Sequence, residues 1–251
     1  MNTEQLKSYL KTEENQAFKG WDFSYIDGRC SSDELPWDYR EIILKYLKPS
    51  DKLLDMGTGG GEFLLTLKHP YNLTSVTESY PPNVQLCYNR LSPLGIEVRQ
   101  TFDDKKLPFD DNTFDIVINR HESFDAGEVN RILKSGGYFI TQQVGGSNNT
   151  DLSKKLIDSY IPKYPEYDLK HNRELLISNN FDILFEDEVY NRTKFYDTGA
   201  LVYYAKIIEW EFPGFSVDTH FENLCKIHAE LIDNGFVSGI QHRFIVVAKK
   251  I

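Results

Sequence analysis

Short apolar runs alternate with amphipathic segments between residues 52 and 146. The apolar runs are KLLDMG, LTSVTES, IEVRQTF, FDIVINR and YFITQQV, and the segments between them include EFLLTLK, PNVQLCYNRL and EVNRILK. Apolar runs of roughly four to eight residues are typical of buried strands, whereas apolar repeats at every third or fourth position indicate helices. Their alternation predicts parallel strands joined by right-handed crossovers, with helices on both faces of a sheet.

The regions on either side of this core follow different patterns. Residues 1–50 are rich in aromatic and charged side chains and predict an N-terminal helical cap, with one helix between Trp37 and Leu47. After Gly146 a polar stretch precedes three helical patterns and two further strand patterns. The helical patterns lie near residues 172–178, 199–210 and 217–234, and the strand patterns at 181–190 and 242–249.

These patterns predict an α/β fold: a Rossmann-like, doubly wound, seven-stranded and mostly parallel sheet. A chain of 251 residues suits one large domain with appendages. We therefore predict a single domain over residues 1–251, divided into a cap (1–50), a core (51–146) and a C-terminal half (147–251) with an insertion near 211–240. The turn Ser135–Gly137 is predicted to lie before the fifth strand.

A glycine-rich turn lies directly between the first apolar run and the helix after it, in the sequence KLLDMGTGGGEF. Glycine permits positive φ and lets a ligand approach the backbone closely. A phosphate-binding loop would need a lysine after the last glycine, where Glu62 stands. A dinucleotide fingerprint would need glycine at position 62 or 64. A structural turn without a ligand stays open as an alternative.

Four positions of this turn form the pattern DxGxGxG: Asp55, Gly57, Gly59 and Gly61. The pattern resembles motif I of the class I S-adenosylmethionine (SAM)-dependent methyltransferases. The resemblance implies that SAM is the cofactor and that its methionine end lies against the backbone from Gly57 through Thr58 to Gly61, with Asp55 near its amino group. It also implies that Glu78, which ends the second apolar run, accepts both ribose hydroxyls.

Two further segments extend the resemblance over roughly residues 50–145. The stretch DDKKLPFDDNTFD resembles the family pattern DxxxLPFxDxxFD, which implies that Asp103 binds the adenine amino group and that Asp104 adds a contact. A solvated surface loop is the alternative for these two aspartates. The stretch EVNRILKSGG resembles the family's ExxRVLKPGG, with Ser135 in place of the usual proline.

The most reactive stretch of the sequence follows the fourth strand, where Asn119, Arg120 and His121 stand together. Ligands in such sheets bind beyond the carboxyl ends of the strands, so Asn119 and Arg120 are predicted to reach the cofactor. His121 could remove a proton from a hydroxyl or amine acceptor, because histidine titrates near neutrality. A structural histidine at the end of a strand is the alternative.

Composition narrows the class of acceptor. The net charge of −10 and the pI near 5.1 disfavour a phosphate-binding surface. We therefore predict a small-molecule acceptor, methylated by direct in-line transfer, rather than nucleic acid. An RNA or protein methyltransferase and a non-catalytic SAM-binding protein stay open, and a nicotinamide dehydrogenase is the most remote alternative. O-, N- and C-methylation and the oligomeric state are undetermined.

The remaining expectations concern metal, compartment and the acceptor pocket. The 3 cysteines are widely spaced and the 6 histidines lack metal-binding spacing, so no metal is predicted. No apolar run suits a signal peptide or membrane span, which predicts a cytoplasmic protein without a membrane partner. Nine aromatic residues are expected to line an acceptor pocket or to pack the cap: Trp21, Phe23, Tyr25, Trp37, Tyr39, Tyr203, Tyr204, Trp210 and Phe212.

Overall fold

A computed structural model describes residues 1–18 and 21–251 of the protein. The helices are α1 (Thr3–Glu14), α2 (Tyr39–Tyr46), α3 (Glu62–Thr66), α4 (Pro81–Arg90), α5 (Ala126–Ile132), α6 (Thr150–Leu156), α7 (Leu169–Ser178), α8 (Thr198–Ile207) and α9 (Phe221–Asn234). The strands are β1 (Cys30–Ser32), β2 (Leu53–Met56), β3 (Thr74–Glu78), β4 (Glu97–Gln100), β5 (Phe114–Arg120), β6 (Leu133–Val144), β7 (Phe181–Phe195) and β8 (Val237–Lys250).

The eight strands form one sheet in the order β1-β7-β8-β6-β5-β2-β3-β4. β2 pairs in parallel with both β3 and β5, β3 with β4, and β5 with β6, whereas β8 is antiparallel to β6. β2 and β3 are buried along their whole lengths, as parallel strands covered on both faces are. The α/β class and the mostly parallel sheet are confirmed. Because β3, β2 and β5 are neighbours, the residues that follow them lie at one edge.

Seven strands were predicted, and this count is wrong by one. The additional strand is β1, in which Cys30 pairs with Phe195 and Ser32 pairs with Thr193 of β7. Three residues are too few for an alternating pattern to be recognised in the sequence. The N-terminal region predicted as a helical cap therefore contributes a strand as well as α1 and α2.

Two further boundaries differ from the prediction. β6 already begins at Leu133, and Gly136 and Gly137 form an irregularity inside it instead of a stop before it. Gly136 has a φ of 76°, and a methyl group on Gly137 would lie 2.9 Å from the Lys134 carbonyl oxygen. α6 lies in the stretch predicted to be polar. Its first turn follows Asn149, which is a usual residue type at a helix start, but the Asn149 side chain makes no capping hydrogen bond.

Local signals explain most other helix starts. Asp38, Asp125, Asp168 and Asp197 precede α2, α5, α7 and α8, and each accepts a hydrogen bond from a backbone N–H of the first turn. Pro81 begins α4, where its fixed φ suits a first helical position. These starts depend on neighbouring residues only, which is why the sequence predicts them well.

The chain divides into two compact units, each assembled from separate segments. Unit 1 comprises residues 1–35, 145–167 and 189–242, and unit 2 comprises residues 36–144, 168–188 and 243–251. Each unit has its own apolar core. That of unit 1 includes Leu10, Ile26, Phe195, Leu201 and Phe212, and that of unit 2 includes Ile43, Leu53, Val76, Ile116 and Val247. The single domain with boundaries near residues 50 and 146 stays a prediction.

Within the two described ranges, no helix is long and apolar enough to cross a membrane. The longest helix is α9, with 14 residues, and it has one buried face that carries Leu224 and Ile227. The cytoplasmic location stays a prediction.

Candidate functional site

The glycine-rich turn of unit 2 connects β2 to α3. Gly57, Gly59 and Gly61 have φ angles of 65°, 63° and 77°, a region that residues with a Cβ adopt only at an energetic cost. The backbone N–H groups of Gly57 and Thr58 both donate to the Thr77 carbonyl oxygen of β3, at 3.0 and 3.2 Å. The turn is therefore tied to the neighbouring strand at the edge where β2 and β3 end.

The three glycines differ in what surrounds them. A methyl group on Gly57 would lie 2.5 Å from Cγ and 2.6 Å from Cβ of Glu122, and one on Gly61 would lie 2.8 Å from the Leu91 methyl groups. Nothing lies within 4 Å of the corresponding position on Gly59. The turn is thus packed against side chains at Gly57 and Gly61 and open at Gly59.

Asp55 is a buried residue of β2, directly before the turn. Its Oδ2 accepts a hydrogen bond of 2.7 Å from Thr58 Oγ1. Burial raises the pKa of Asp55 to about 7, although the Thr58 hydrogen bond and the charge of Arg120 act in the opposite direction; the charge of Glu78 adds to the increase. Near neutral pH this carboxyl group is therefore partly protonated and would ionise when a cation binds beside it.

Glu78 ends β3 and is 4% exposed. Its Oε2 accepts from the Gly59 N–H at 2.8 Å, and its Oε1 accepts from the N–H groups of Ser79 and Tyr80 at 2.9 and 3.0 Å. The carboxylate therefore joins the end of β3 to the open part of the glycine turn. A carboxylate oxygen has about two acceptor sites, so Oε2 retains capacity for a ligand hydroxyl, whereas Oε1 already accepts two backbone hydrogen bonds.

Asn119 lies near the end of β5 and is completely buried. Its Oδ1 accepts from Thr141 Oγ1 at 3.0 Å and from Gln143 Nε2 at 2.5 Å. Gln143 Nε2 also donates to the Glu122 carbonyl oxygen at 3.0 Å, which sets the orientation of both amides. Among the described residues, Asn119 Nδ2 has no partner. A buried donor without a partner is costly, so this atom is suited to a group that a ligand brings.

Arg120 follows Asn119 and reaches the helix after the glycine turn. Its guanidinium carbon lies 4.4 Å from the centre of the Phe63 ring in α3, within the range of a cation–π contact. The same positive charge lowers the pKa of Asp55. Arg120 thus lies beside the helix that follows the turn, and its contact with the cofactor stays a prediction.

His121 adopts a φ of 62° and belongs to a chain of hydrogen bonds. Trp37 Nε1 donates to Gln142 Oε1 at 2.8 Å, and Gln142 Nε2 lies 3.2 Å from His121 Nε2. Because tryptophan can only donate, Gln142 presents its amide nitrogen to the histidine, and His121 Nε2 is the acceptor. The ring proton of the neutral histidine is then on Nδ1.

The charge state of His121 follows from its surroundings. Desolvation by neighbouring protein atoms, followed by the charges of Arg243 and Arg120, lowers its pKa well below 6.5. As a whole residue, however, His121 is exposed to solvent. We therefore take it as neutral at pH 7, as a base must be. The sequence placed Trp37 only among the aromatic residues of a pocket or cap. Its link to His121 through Gln142 was not predicted, because Trp37 and Gln142 are 105 residues apart and follow no motif.

The two aspartates of the loop after β4 differ in their contacts. Asp103 is exposed, and its Oδ1 accepts from the Lys105 N–H at 2.9 Å, within its own loop. Asp104 Oδ2 accepts from Ser123 Oγ at 2.5 Å, which connects this loop to the segment after β5. The structure thus brings Asp104 toward the other site residues. The adenine contacts of both aspartates stay predictions.

Glu122 was not assigned a role from the sequence. Its side chain lies against Gly57, and burial, followed by the charges of Glu78 and Asp104, raises its pKa to about 7. Its position directly after His121 was the only signal in the sequence. Its contact with the glycine turn depends on the pairing of β2 with β5.

The aromatic residues expected to form an acceptor pocket divide between the units. In unit 1 Tyr25 lies 4.8 Å from Tyr203, and Trp21 lies 5.8 Å from Trp210, between ring centres. In unit 2 Tyr39 is buried, and its hydroxyl bonds to the Asn119 backbone N–H at 3.2 Å and carbonyl oxygen at 3.0 Å. Tyr39 therefore supports the end of β5, and a pocket lined by the unit 1 aromatics stays a prediction.

Within residues 1–18 and 21–251, no three His, Cys, Asp or Glu side chains are grouped so that they could hold a metal ion. The cysteines Cys30, Cys87 and Cys225 are free. The site described above is therefore an arrangement of carboxyl, amide, guanidinium and imidazole groups around a glycine turn.

Comparison with known proteins gives independent evidence on this region. Residues 54–141 match the family model of the methyltransferase domain. Over 97 residues the chain is 32% identical to a phthiotriol/phenolphthiotriol dimycocerosates methyltransferase of Mycobacterium leprae, which covers 36% of this chain and 35% of the relative. Over 117 residues it is 29% identical to a demethylmenaquinone methyltransferase of Thermus thermophilus, with coverages of 43% and 53%.

The likeness in three dimensions extends further along the chain. A solved structure of geranyl diphosphate methyltransferase in complex with SAM has a TM-score of 0.50 and 15% identity, and 84% of each chain is covered. At this identity the likeness concerns the fold alone. The chain spans only about a third to a half of the length of the curated relatives it matches, 35% and 53% for the two named above. On this evidence, residues 54–141 of the chain form a methyltransferase domain.

Proposed function

We propose that the protein is a SAM-dependent methyltransferase that transfers a methyl group to a small-molecule acceptor. The observation that carries the proposal is the hydrogen bond from the Gly59 N–H to Glu78 Oε2 at 2.8 Å. It joins the glycine turn and the acid after β3 into one site, within the 54–141 segment that matches the methyltransferase domain.

The residues around this turn fit the polar groups of SAM. Asp55 and Glu78 offer carboxylate oxygens to an ammonium group and to ribose hydroxyls, and Asn119 Nδ2 offers a buried donor that has no protein partner among the described residues. The open side of the turn at Gly59 leaves the backbone accessible. We assign Gly57, Thr58, Gly61 and Arg120 to the same site, and Asp103 and Asp104 to its adenine side.

When bound, SAM supplies a methyl group on a sulfonium, and the sulfur keeps both electrons of the S–C bond that breaks. The protein has to hold an acceptor atom in line with that bond and keep water away. Such alignment can contribute on the order of 7 kcal/mol, so no covalent protein nucleophile is needed. His121, neutral at pH 7, is our candidate for taking the proton of a hydroxyl or amine acceptor. To do so, its Nε2 has to exchange the hydrogen bond from Gln142 for the acceptor proton.

The acceptor class is inferred from charge and from the relatives. The net charge of −10 disfavours nucleic acid, and the named relatives are methyltransferases of a lipid and of a quinone. We therefore propose a small organic acceptor. RNA or protein methylation, or SAM binding without turnover, would appear as different outcomes of the tests below.

The first test is calorimetric titration of the purified protein with SAM and with NADH. We expect micromolar binding of SAM and no binding of NADH. Glu78→Gln keeps one carbonyl oxygen but loses the charge, and we expect at least tenfold weaker SAM binding, or about 1.4 kcal/mol. Glu97→Gln is the matched control, because Glu97 lies on the neighbouring strand β4 and bonds to Ser75 and Arg99.

The second test is transfer of an isotopically labelled methyl group from SAM to pools of small molecules, to RNA and to protein. Labelling in the small-molecule pools alone supports the proposal. Labelling of RNA or protein alone would replace the proposed acceptor class, and SAM binding without transfer to any pool would favour a non-catalytic SAM-binding protein. Absence of SAM binding to well-folded protein would overturn the proposal altogether.

A further inference from the structure

Glu122 is held against the glycine turn by one contact of its side chain and one of its backbone carbonyl group. Its Cβ and Cγ occupy the space that a side chain on Gly57 would need, at 2.6 and 2.5 Å from such a methyl group. On the other side, its carbonyl oxygen accepts from Gln143 Nε2 at 3.0 Å, and the same amide nitrogen bonds to Asn119. The position of Glu122 is therefore determined by β2, β5 and β6 together.

The groups around the Glu122 carboxyl are mostly negative. Glu78 of β3 and Asp104 of the loop after β4 act on it directly, and both oppose its ionisation. Asp55 of β2 is subject to the charge of the same Glu78. Two titratable neighbours lie on its own segment: Arg120, which is positively charged and lies over Phe63, and His121, which is neutral at pH 7. A cation bound beside Gly57 would therefore meet several carboxyl groups.

We propose that Glu122 distinguishes the cationic cofactor from its neutral product by placing a carboxylate beside the sulfonium. This inference rests on the proposed function, because it requires SAM to lie along the glycine turn. SAM and S-adenosylhomocysteine (SAH) share the ammonium, carboxylate and adenosine groups, and they differ in the methyl group and the positive charge on sulfur. A carboxylate in a partly desolvated site attracts that charge more strongly than it would in water.

Two consequences follow for binding. SAM should bind more tightly than SAH, so that the product leaves and new cofactor enters. Because Glu122 and Asp55 are both partly protonated near pH 7, binding of a cation beside either one should release a proton. Both ligands carry the ammonium group, so the protons released because of it are equal in number for SAM and SAH. Any difference between the two ligands in the number of protons released therefore reports on the protein group that faces the sulfur.

The experiment is calorimetric titration at pH 7 in two buffers of different ionisation enthalpy, which counts the protons exchanged. For wild-type protein we expect about half a proton more to be released with SAM than with SAH, because a group with a pKa near the pH is about half protonated. For Glu122→Gln we expect this difference to vanish and the preference for SAM over SAH to fall about tenfold. Glu97→Gln is expected to behave as wild type.

The outcomes separate this inference from the proposed function. If wild-type protein binds SAM but releases the same number of protons with SAH, Glu122 does not face the sulfur, and the proposed function stands. An unchanged preference in a folded Glu122→Gln variant would also overturn the inference. If wild-type protein binds neither ligand, the proposed function fails first. The comparison of the two ligands on wild-type protein needs no variant, so a variant that failed to fold would not prevent the test.

Discussion

In unit 1, Arg29 lies between two carboxylates, whereas in unit 2 the site carboxylates are held by hydroxyl and backbone N–H groups. Arg29 donates to Asp197 at 2.7 and 2.8 Å and to Glu13 at 3.1 and 3.2 Å. Burial acts against ionisation of Asp197, but the bonds from Arg29 prevail and lower its pKa. Asp55 and Glu122 show the opposite result, since burial raises the pKa of each to about 7.

The difference shows how the same residue types serve different purposes. A carboxylate paired with a guanidinium in good geometry is ionised over most of the pH range and strengthens the fold around it. Burial and like charges keep some carboxyl groups partly protonated, and a bound cation then stabilises their ionised form. Groups with pKa values perturbed in this way cluster at functional sites. We therefore assign a structural role to the Arg29 cluster and a binding role to the Asp55 and Glu122 region.

The largest expected effect comes from Gly57→Ala, which fills the space beside Glu122. The methyl group would overlap the Glu122 stem and force a residue with a Cβ to a φ of 65°. We expect SAM affinity to fall at least about hundredfold and the free energy of unfolding to fall by about 2–3 kcal/mol. Titration and denaturant unfolding measure the two effects.

Gly59→Ala is the matched control for that variant. Gly59 has a similar φ of 63°, but nothing lies within 4 Å of its added methyl group. The free energy of unfolding of Gly59→Ala should fall by only about 1 kcal/mol, because of backbone strain. Equal losses of stability for both variants would contradict the importance of the contact between Gly57 and Glu122.

The next prediction concerns the Arg29 cluster of unit 1. Arg29→Ala leaves Glu13 and Asp197 without their cation and should lower the free energy of unfolding by about 2 kcal/mol at pH 7, with SAM affinity unchanged. The pKa of Asp197 is lowered in the folded protein, so its contribution is present above its ordinary value of 3.8 and is lost as the pH falls through the lowered value. The free energy of unfolding of the variant should therefore fall less at acid pH than that of the wild-type protein.

Lys155→Ala is the control for a surface ion pair in the same unit. Lys155 bonds to Glu230 at 2.6 Å, and its side chain is 43% exposed. The change in the free energy of unfolding caused by Lys155→Ala should stay within about 1 kcal/mol. Denaturant unfolding from pH 3 to pH 8 tests both variants, and equal effects of Arg29→Ala and Lys155→Ala would remove the distinction between the two clusters.

A change in stability of the opposite sign is expected from Asp55→Asn. Because the pKa of Asp55 is raised to about 7, the wild-type protein loses stability as the pH rises from about 4 to 7. Asparagine keeps an acceptor for Thr58 Oγ1 but does not ionise. A rise in pKa from 3.8 to about 7 corresponds to at most about 4 kcal/mol, so the variant should gain up to that amount relative to wild type at pH 8 compared with pH 4, while SAM binding weakens. A difference in stability that does not vary with pH would show that the Asp55 pKa is ordinary.

The smallest effect on SAM binding is expected from His121→Asn. Asparagine tolerates a φ of 62°, and His121 Nε2 already faces Gln142. SAM affinity should stay within about twofold. If His121 removes the acceptor proton, kcat should fall by about a hundredfold or more. Unchanged kcat would leave His121 with a structural role alone.

The sequence was sufficient for the features that depend on neighbouring residues. Apolar runs and amphipathic repeats predicted all the parallel strands and most helices, because burial selects residues at the period of the element. The glycine turn was recognised because positive φ and close approach restrict the residue type. Glu78 was placed correctly because the end of one strand and the next turn are linked by their spacing. The strand β1 and the helix α6 were missed, since neither carries a strong local signal.

Only the tertiary structure decided which distant residues meet. Glu122 contacts Gly57 because β5 pairs with β2, and Trp37 orients His121 through Gln142 because α2 and β6 bring them together. The orientation of the Asn119 amide, whose Nδ2 has no partner among the described residues, likewise depends on Thr141 and Gln143 of the adjacent strand. Sequence patterns report how each segment is buried, whereas side-chain partners and pKa values depend on strand order and on the charges that it places side by side.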